Sequence, residues 1–296
     1  MVCGLVRYHQ VPFHLSGRSD AQRMAYRISQ SGRCDLLAIL AKADAAGRRS
    51  LTQADLFLSI EMFREFCDGQ ACLNRPRQFP SHHSRFLYFR KEDRDPDYEA
   101  YDDARCEVIL MSGLPGAGKD TWIAGHAAEI PQISLDEIRE ETGHRSTGDQ
   151  GVVVQAAREQ ARVYLRAGQS FVWNATNLSA QIRTQCVDLF TAYHAKVRII
   201  YVETDRPTLL QRNRSRESPV PAAAMARMLE RWEVPDPWEA DIVEWWINGV
   251  PLILPGAWTP GPPVQPDAPE PASRPAPPSP ERSSPRRMPR DRAGSP

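Results

Sequence analysis

The chain has 296 residues, in which 37 lysines and arginines balance 37 aspartates and glutamates. That length gives room for two domains, and the balance excludes a global field that would announce a nucleic-acid partner, so any such site has to be local. Six cysteines (Cys3, Cys34, Cys67, Cys72, Cys106 and Cys186) are scattered without a Cys-x-x-Cys pair and read as reduced thiols, several facing a core. With no signal peptide and no apolar run long enough to span a membrane, the expectation is a soluble cytoplasmic protein without a membrane partner.

Residues 1–75 carry helical periodicity. Asp20 to Ser29 places Ala21, Met24, Ala25 and Ile28 at helical spacing, and Arg33 to Ala46 does the same with Leu36, Leu37, Ile39, Leu40 and Ala43. Thr52-Gln-Ala-Asp55 has the form of a capping box ahead of Leu56, Phe57, Ile60, Phe63 and Phe66. Residues 76–105 read as an irregular, charged and aromatic connector. From 106 to 255 the pattern alternates between strands and helices, as in α/β folds with a parallel sheet flanked by helices. Strands are expected at Val108–Met111, in Pro131–Arg139 with its end at Asp136, at Phe171–Asn174 and at Lys196–Val202, with an edge strand at Val250–Leu254. Helices are expected at Gln155–Ala167, Pro207–Arg216 and Pro221–Trp232. From Pro255 on lie more than half of the 26 prolines, mixed with Ser, Ala and Arg, so residues 256–296 are expected to be a disordered tail.

The stretch Cys106-Glu-Val-Ile-Leu-Met-Ser-Gly113-Leu-Pro-Gly-Ala-Gly118-Lys119-Asp-Thr121 combines a buried strand, a GxxxxGK turn and a helix start, which is a phosphate-binding P-loop. Gly113, Gly116 and Gly118, with Leu114, Pro115 and Ala117 between them, let the backbone curl its N–H groups inward. Those donors and the positive helix end form an anion cradle, and Lys119 adds a charge for β- and γ-phosphates. Asp120 stands where a magnesium-binding Ser or Thr is usual, with Thr121 next to it, and either can approach the metal.

Three further features bear on chemistry. Asp136 can accept the proton of an attacking hydroxyl, and Arg139, one helical turn later, can hold an acceptor phosphate bidentately. Arg212 and Arg216, four apart, can close as a lid over a transferring phosphate. Asn174-Ala-Thr-Asn177 ends a strand where many P-loop enzymes carry an aspartate, so a metal role for neutral Asn174 would run through water or be absent.

Over 106–250, GLPGAGKDT, the Asp136/Arg139 pair, the Asn177-Leu178 turn and Arg212-x-x-x-Arg216 before Val220-Pro221 resemble the kinase domain of phage-type polynucleotide 5′-hydroxyl kinases. Val6-Arg-Tyr-His9 and Leu36 to Asp44 resemble the back half of an HD-superfamily phosphohydrolase. The whole is similar to bacterial HD-phosphohydrolase/polynucleotide kinase fusions that heal nucleic-acid ends. The resemblance implies a P-loop kinase fold with a lid, preceded by a small all-α partial HD-like domain. It implies ATP or another NTP, Mg2+, and nucleic-acid ends as partners, RNA before DNA, with a ligase acting alongside. Lys119 would clamp phosphate, Asp136 would be the general base, Arg139 would bind the acceptor's phosphate, and Arg212 and Arg216 would be lid residues. His9 and Asp44 would be HD metal ligands for a divalent transition metal. The family's His-Asp doublet precedes the position of His9, so a truncated, structural remnant is the favoured expectation for this part. The rival readings are a small-molecule P-loop kinase, an HD phosphohydrolase with an NTP-binding regulatory domain, and a non-catalytic nucleic-acid adaptor.

Overall fold

The computed structural model describes residues 2–48, 52–141, 150–216 and 218–252. Helices α1 (Val2–Tyr8), α2 (Ala21–Ser31), α3 (Cys34–Gly47), α4 (Gln53–Gly69) and α5 (His82–Arg90) come first, with 3-10 turns at Val11–Phe13 and Leu15–Gly17. They share a core that includes Phe13, Tyr26, Leu37, Ile60 and Phe63. The buried stripe of α3 is mostly small, Cys34, Leu37, Ala38, Ala41 and Ala45, which lets α4 approach closely. The apolar face expected for α3 is therefore corrected. Ile39 is 64% exposed and Leu40 39%, because at 3.6 residues per turn they lie opposite the 34–37–38–41–45 stripe.

The expected irregular connector also needs correction, since it contains α5. Ser81 caps this helix by accepting a hydrogen bond from the Ser84 N–H. Phe86 then packs into the core of the sheet while Tyr88 and Phe89 pack into the helical core. Helix α5 is the seam between the two.

The sheet is built from β1 (Cys106–Ser112), β2 (Gln132–Ser134), β3 (Phe171–Asn174), β4 (Ala195–Glu203), β5 (Ile242–Ile247) and β6 (Val250–Pro251), in the order β2-β3-β1-β4-β5-β6. The first five are parallel and β6 is antiparallel to β5. Around them lie α6 (Lys119–His126), α7 (Leu135–Glu141), α8 (Gln150–Arg166), α9 (Ala180–Thr191), α10 (Arg206–Arg214) and α11 (Ala222–Glu230). Alternation along β1 separates two cores. Val108 and Leu110 join Phe171, Trp173, Ile199 and the inner faces of α8 and α9. Ile109 and Met111 join Val172, Ile200, Val202 and α6 on the other side. The chain passes from β1 to β2 on one side of β1 and from β3 to β4 on the other, so the carboxyl end of β1 opens at the crevice where open α/β sheets bind ligands.

Strand β5 was absent from the sequence reading, which expected only an edge strand at 250–254; that strand is reduced to β6, and 253–254 lie outside the described residues. The tail, 256–296, also lies outside them. Among the described residues no helix is long and apolar enough to cross a membrane.

Candidate functional site

Strand β1 delivers the glycine-rich loop, and the end of β3 braces it. Ser112 Oγ donates to the Asn177 carbonyl at 3.1 Å, and Gly113 N to the Thr176 carbonyl at 2.9 Å. Gly113 adopts φ +150, and a Cβ there would lie 2.3 Å from the Val202 carbonyl oxygen, so no other residue fits. Gly118, at φ +109, turns the chain into α6. Lys119 opens that helix and donates from Nζ to the carbonyls of Gly113 (3.1 Å) and Leu114 (3.2 Å). The residue keeps some contact with solvent, but its ammonium is enclosed by the loop. Burial holds its pKa down at about 8, against the opposing pull of the Asp120 and Asp136 charges, with Arg216 lowering it further.

Asp120 and Thr121 are exposed in the first turn of α6. Asp120 Oδ1 accepts a hydrogen bond from Asn174 Nδ2 at 2.8 Å. These residues fit a nucleotide with Mg2+. The glycine cradle leaves no Cβ in the phosphate's path, the ammonium is enclosed, and a carboxylate and a hydroxyl at adjacent positions are the hard oxygen ligands Mg2+ takes. When bound, the cation neutralises charge on the β- and γ-phosphate oxygens.

Asp136 lies in the first turn of α7 rather than at a strand end, since β2 stops at Ser134. The expected pairing with Arg139 is present as an i,i+3 contact, Arg139 Nη1 to Asp136 Oδ1. Arg216 Nη2 approaches Asp136 Oδ2 at 3.6 Å. The Asp136 side chain remains 66% exposed, open to an incoming group. The helix expected to run from Pro207 to Arg216, and so to carry both Arg212 and Arg216, is corrected. Helix α10 ends at Arg214, so only Arg212 is helical; its Nη1 donates to the Gly116 (3.5 Å) and Ala117 (3.4 Å) carbonyls. Arg216 reaches Asp136 from the following bend. Buried Asn213 steadies that bend by pairing both ends of its amide with Val220 at 2.9 and 3.0 Å.

Sequence reasoning passed over Arg183. It is fully buried on α9 and makes a two-pronged ion pair with Glu239 at 2.6 and 2.9 Å. Its Nη1 donates to the carbonyls of Asn177, Leu178 and Glu233. It thus ties the loop after β3, which braces the P-loop, to residues 233–239. An arginine one position after an isoleucine on an amphipathic helix gives no local sign of this. His9 Nδ1 contacts the Val6 carbonyl oxygen at 2.8 Å, and Asp44 pairs with Arg48. Neither belongs to a group of three candidate metal ligands among the described residues.

Similar solved structures include a putative kinase from Chloroflexus aurantiacus, 17% identical over 50% of this chain and 87% of that one, TM-score 0.41. Kti12 from Chaetomium thermophilum in complex with ADP-AlF3 is 16% identical over 47% of this chain and 87% of its own, TM-score 0.38. A gluconokinase from Sinorhizobium meliloti is 17% identical over 47% and 82%, TM-score 0.35. These names describe those proteins and carry no argument about the substrate of this chain. Residues 108–235 match the family model of the AAA domain, and over that stretch the chain is a nucleotide-binding P-loop domain similar to that family.

Proposed function

We propose that the protein is an NTP- and Mg2+-dependent kinase that transfers the γ-phosphoryl group to the 5′-hydroxyl of a polynucleotide end. The observation that supports this reading best is Asp136 between two arginines, Arg139 and Arg216, in electrostatic reach of Lys119. In the reaction the hydroxyl oxygen forms a bond to the γ-phosphorus as the bond to the NDP leaving group breaks, and the hydroxyl proton passes to the Asp136 carboxylate. Lys119 and Arg212 hold the donor's phosphates, and Arg216 moves from Asp136 onto the transferring group. Arg139 takes the phosphate that neighbours a 5′-hydroxyl within a polynucleotide. A neutral sugar offers that arginine hydroxyl acceptors but no anion to pair with. The preference for RNA over DNA and the pairing with a ligase rest on the family resemblance alone. The helical part before the P-loop is proposed as an HD-like domain with a structural role, with Asp44 engaged by Arg48.

The test is an acceptor panel with labelled γ-phosphate: 5′-OH RNA and DNA oligonucleotides, a nucleoside 3′-phosphate, the parent nucleoside, and gluconate. Transfer to the oligonucleotides and the 3′-phosphate, with the nucleoside at least about 100-fold poorer, is expected if Arg139 binds phosphate. Transfer to gluconate or the nucleoside alone would move the assignment to a small-molecule kinase.

A further inference from the structure

Cys34, Cys67 and Cys72 are fully buried in the helical core, and their sulfur atoms all lie within 4.8 Å of one another. They come from the start of α3, the last turn of α4 and the turn that follows it. Two backbone hydrogen bonds draw the third to the other two. Cys72 N donates to the Cys67 carbonyl, and Asp35 N to the Leu73 carbonyl, both at 2.9 Å. The turn holds Ala71 in the left-handed region, φ +52, a conformation that costs a residue with a Cβ about 1 kcal/mol or more. The chain bears that strain in bringing Cys72 back over Cys67. Cys67-Asp-Gly-Gln-Ala-Cys72 also has a four-residue gap, within the spacing at which paired thiolates commonly hold zinc. Among the described residues no other group of three His, Cys, Asp or Glu side chains comes within ligating range.

We propose that Cys34, Cys67 and Cys72 form a thiolate site for one thiophilic d10 cation of the zinc type, which ties α3, α4 and the following turn together. Three sulfurs at about 2.3 Å from a metal stand about 4 Å apart, so the observed cluster needs only small rotamer adjustments to close. Each S–H bond gives way to a sulfur–metal bond, and the three protons leave to solvent. A divalent cation with three thiolates carries one net negative charge. The Arg77 guanidinium, placed over the Tyr26 ring and paired with Asp97, is the cation whose charge reaches Cys72. Three small core thiols would pack equally well without a metal, and would then take up none.

The reduced, metal-free full chain is titrated with Cd2+, which reports thiolate ligation by an ultraviolet charge-transfer band, and Zn2+ is then competed against a chromophoric chelator. One Cd2+ per chain is expected, with the band unchanged in Cys106→Ser and Cys186→Ser and lost in Cys72→Ser. Near-ultraviolet circular dichroism checks that Cys72→Ser is folded, and the stoichiometry of the wild-type band stands whatever that variant does. Absence of the band from the wild type, or its persistence in a folded Cys72→Ser, would overturn the proposal.

Discussion

Asn174, at the end of β3, donates a hydrogen bond from Nδ2 to Asp120 Oδ1 at 2.8 Å. The neutral amide stands where P-loop enzymes often keep an aspartate, and the carboxylate stands where they keep a hydroxyl. The charge has changed places across one hydrogen bond, and the two positions are coupled. Asp120→Ser is expected to weaken Mg2+-nucleotide binding, measured by titration calorimetry with and without the cation. The double variant Asp120→Ser/Asn174→Asp, which returns the charge to the strand, is expected to recover about 1–2 kcal/mol of that loss. A double variant as weak as Asp120→Ser would show that the two are independent.

Lys119 makes nucleotide affinity depend on pH. Its folded-state pKa is about 8, held down by burial, against about 10.4 for an unfolded lysine. Between those values the unfolded chain binds the proton that the folded chain has released, so this residue's contribution makes stability rise with pH there. Nucleotide affinity runs the other way and is expected to fall as pH passes 8, because the ammonium that meets the phosphates is lost. Lys119→Arg should flatten that fall, since its charge does not titrate in this range. A wild-type affinity that holds level to pH 10 would contradict the assignment.

Arg183 is expected to matter more for stability than any exposed ion pair on the molecule. Removing one partner of a buried pair leaves the other charge uncompensated, at a cost of about 3–5 kcal/mol. Arg183→Met should lose about that much in urea denaturation. It should also weaken nucleotide binding, because Asn177 and Leu178 are released behind the P-loop. Arg48→Met, which breaks the exposed pair with Asp44, should change stability by under about 1 kcal/mol.

Gly113→Ala places a Cβ 2.3 Å from a backbone oxygen at a positive φ. Neither strain can be relieved by turning a side chain, so a loss of about 2 kcal/mol or more is expected in thermal unfolding. Gly125, with open space around its Cβ position, should accept alanine and gain helix propensity, as the paired control.

The P-loop was legible in the sequence because its physics is local: a short apolar run, glycines at fixed intervals, then Lys119. Asp136 and Arg139 were legible as a pair for the same reason, three residues apart on one helical turn, although the helix starts earlier than the residue pattern suggested. What was not legible depends on distant partners. Strand β5 exists because Ile242 to Ile247 pair with Arg198 to Glu203, some forty residues back. Helix α5 exists because Phe86, Tyr88 and Phe89 find two separate cores, a reward that aromatic residues of modest helix propensity do not advertise. Its Ser81 cap was the one local sign. In α3 the large residues Ile39 and Leu40 drew attention to the wrong face, because close packing against α4 selects the alanines instead. The three-cysteine cluster needed both the Cys67–Cys72 turn and the α3 start in place before its members could be seen as neighbours.

The most direct test of the account is a comparison of wild type with Asp136→Asn in a single turnover of γ-phosphate transfer from NTP to a 5′-OH oligonucleotide, with nucleotide binding measured alongside. The proposed role gives Asp136 the acceptor's proton and no essential part in holding the donor. Transfer is therefore expected to fall by about 100- to 10,000-fold, with nucleotide affinity within about 2-fold of wild type, a shift under about 0.5 kcal/mol. Transfer at the wild-type rate by the asparagine variant would contradict the central claim.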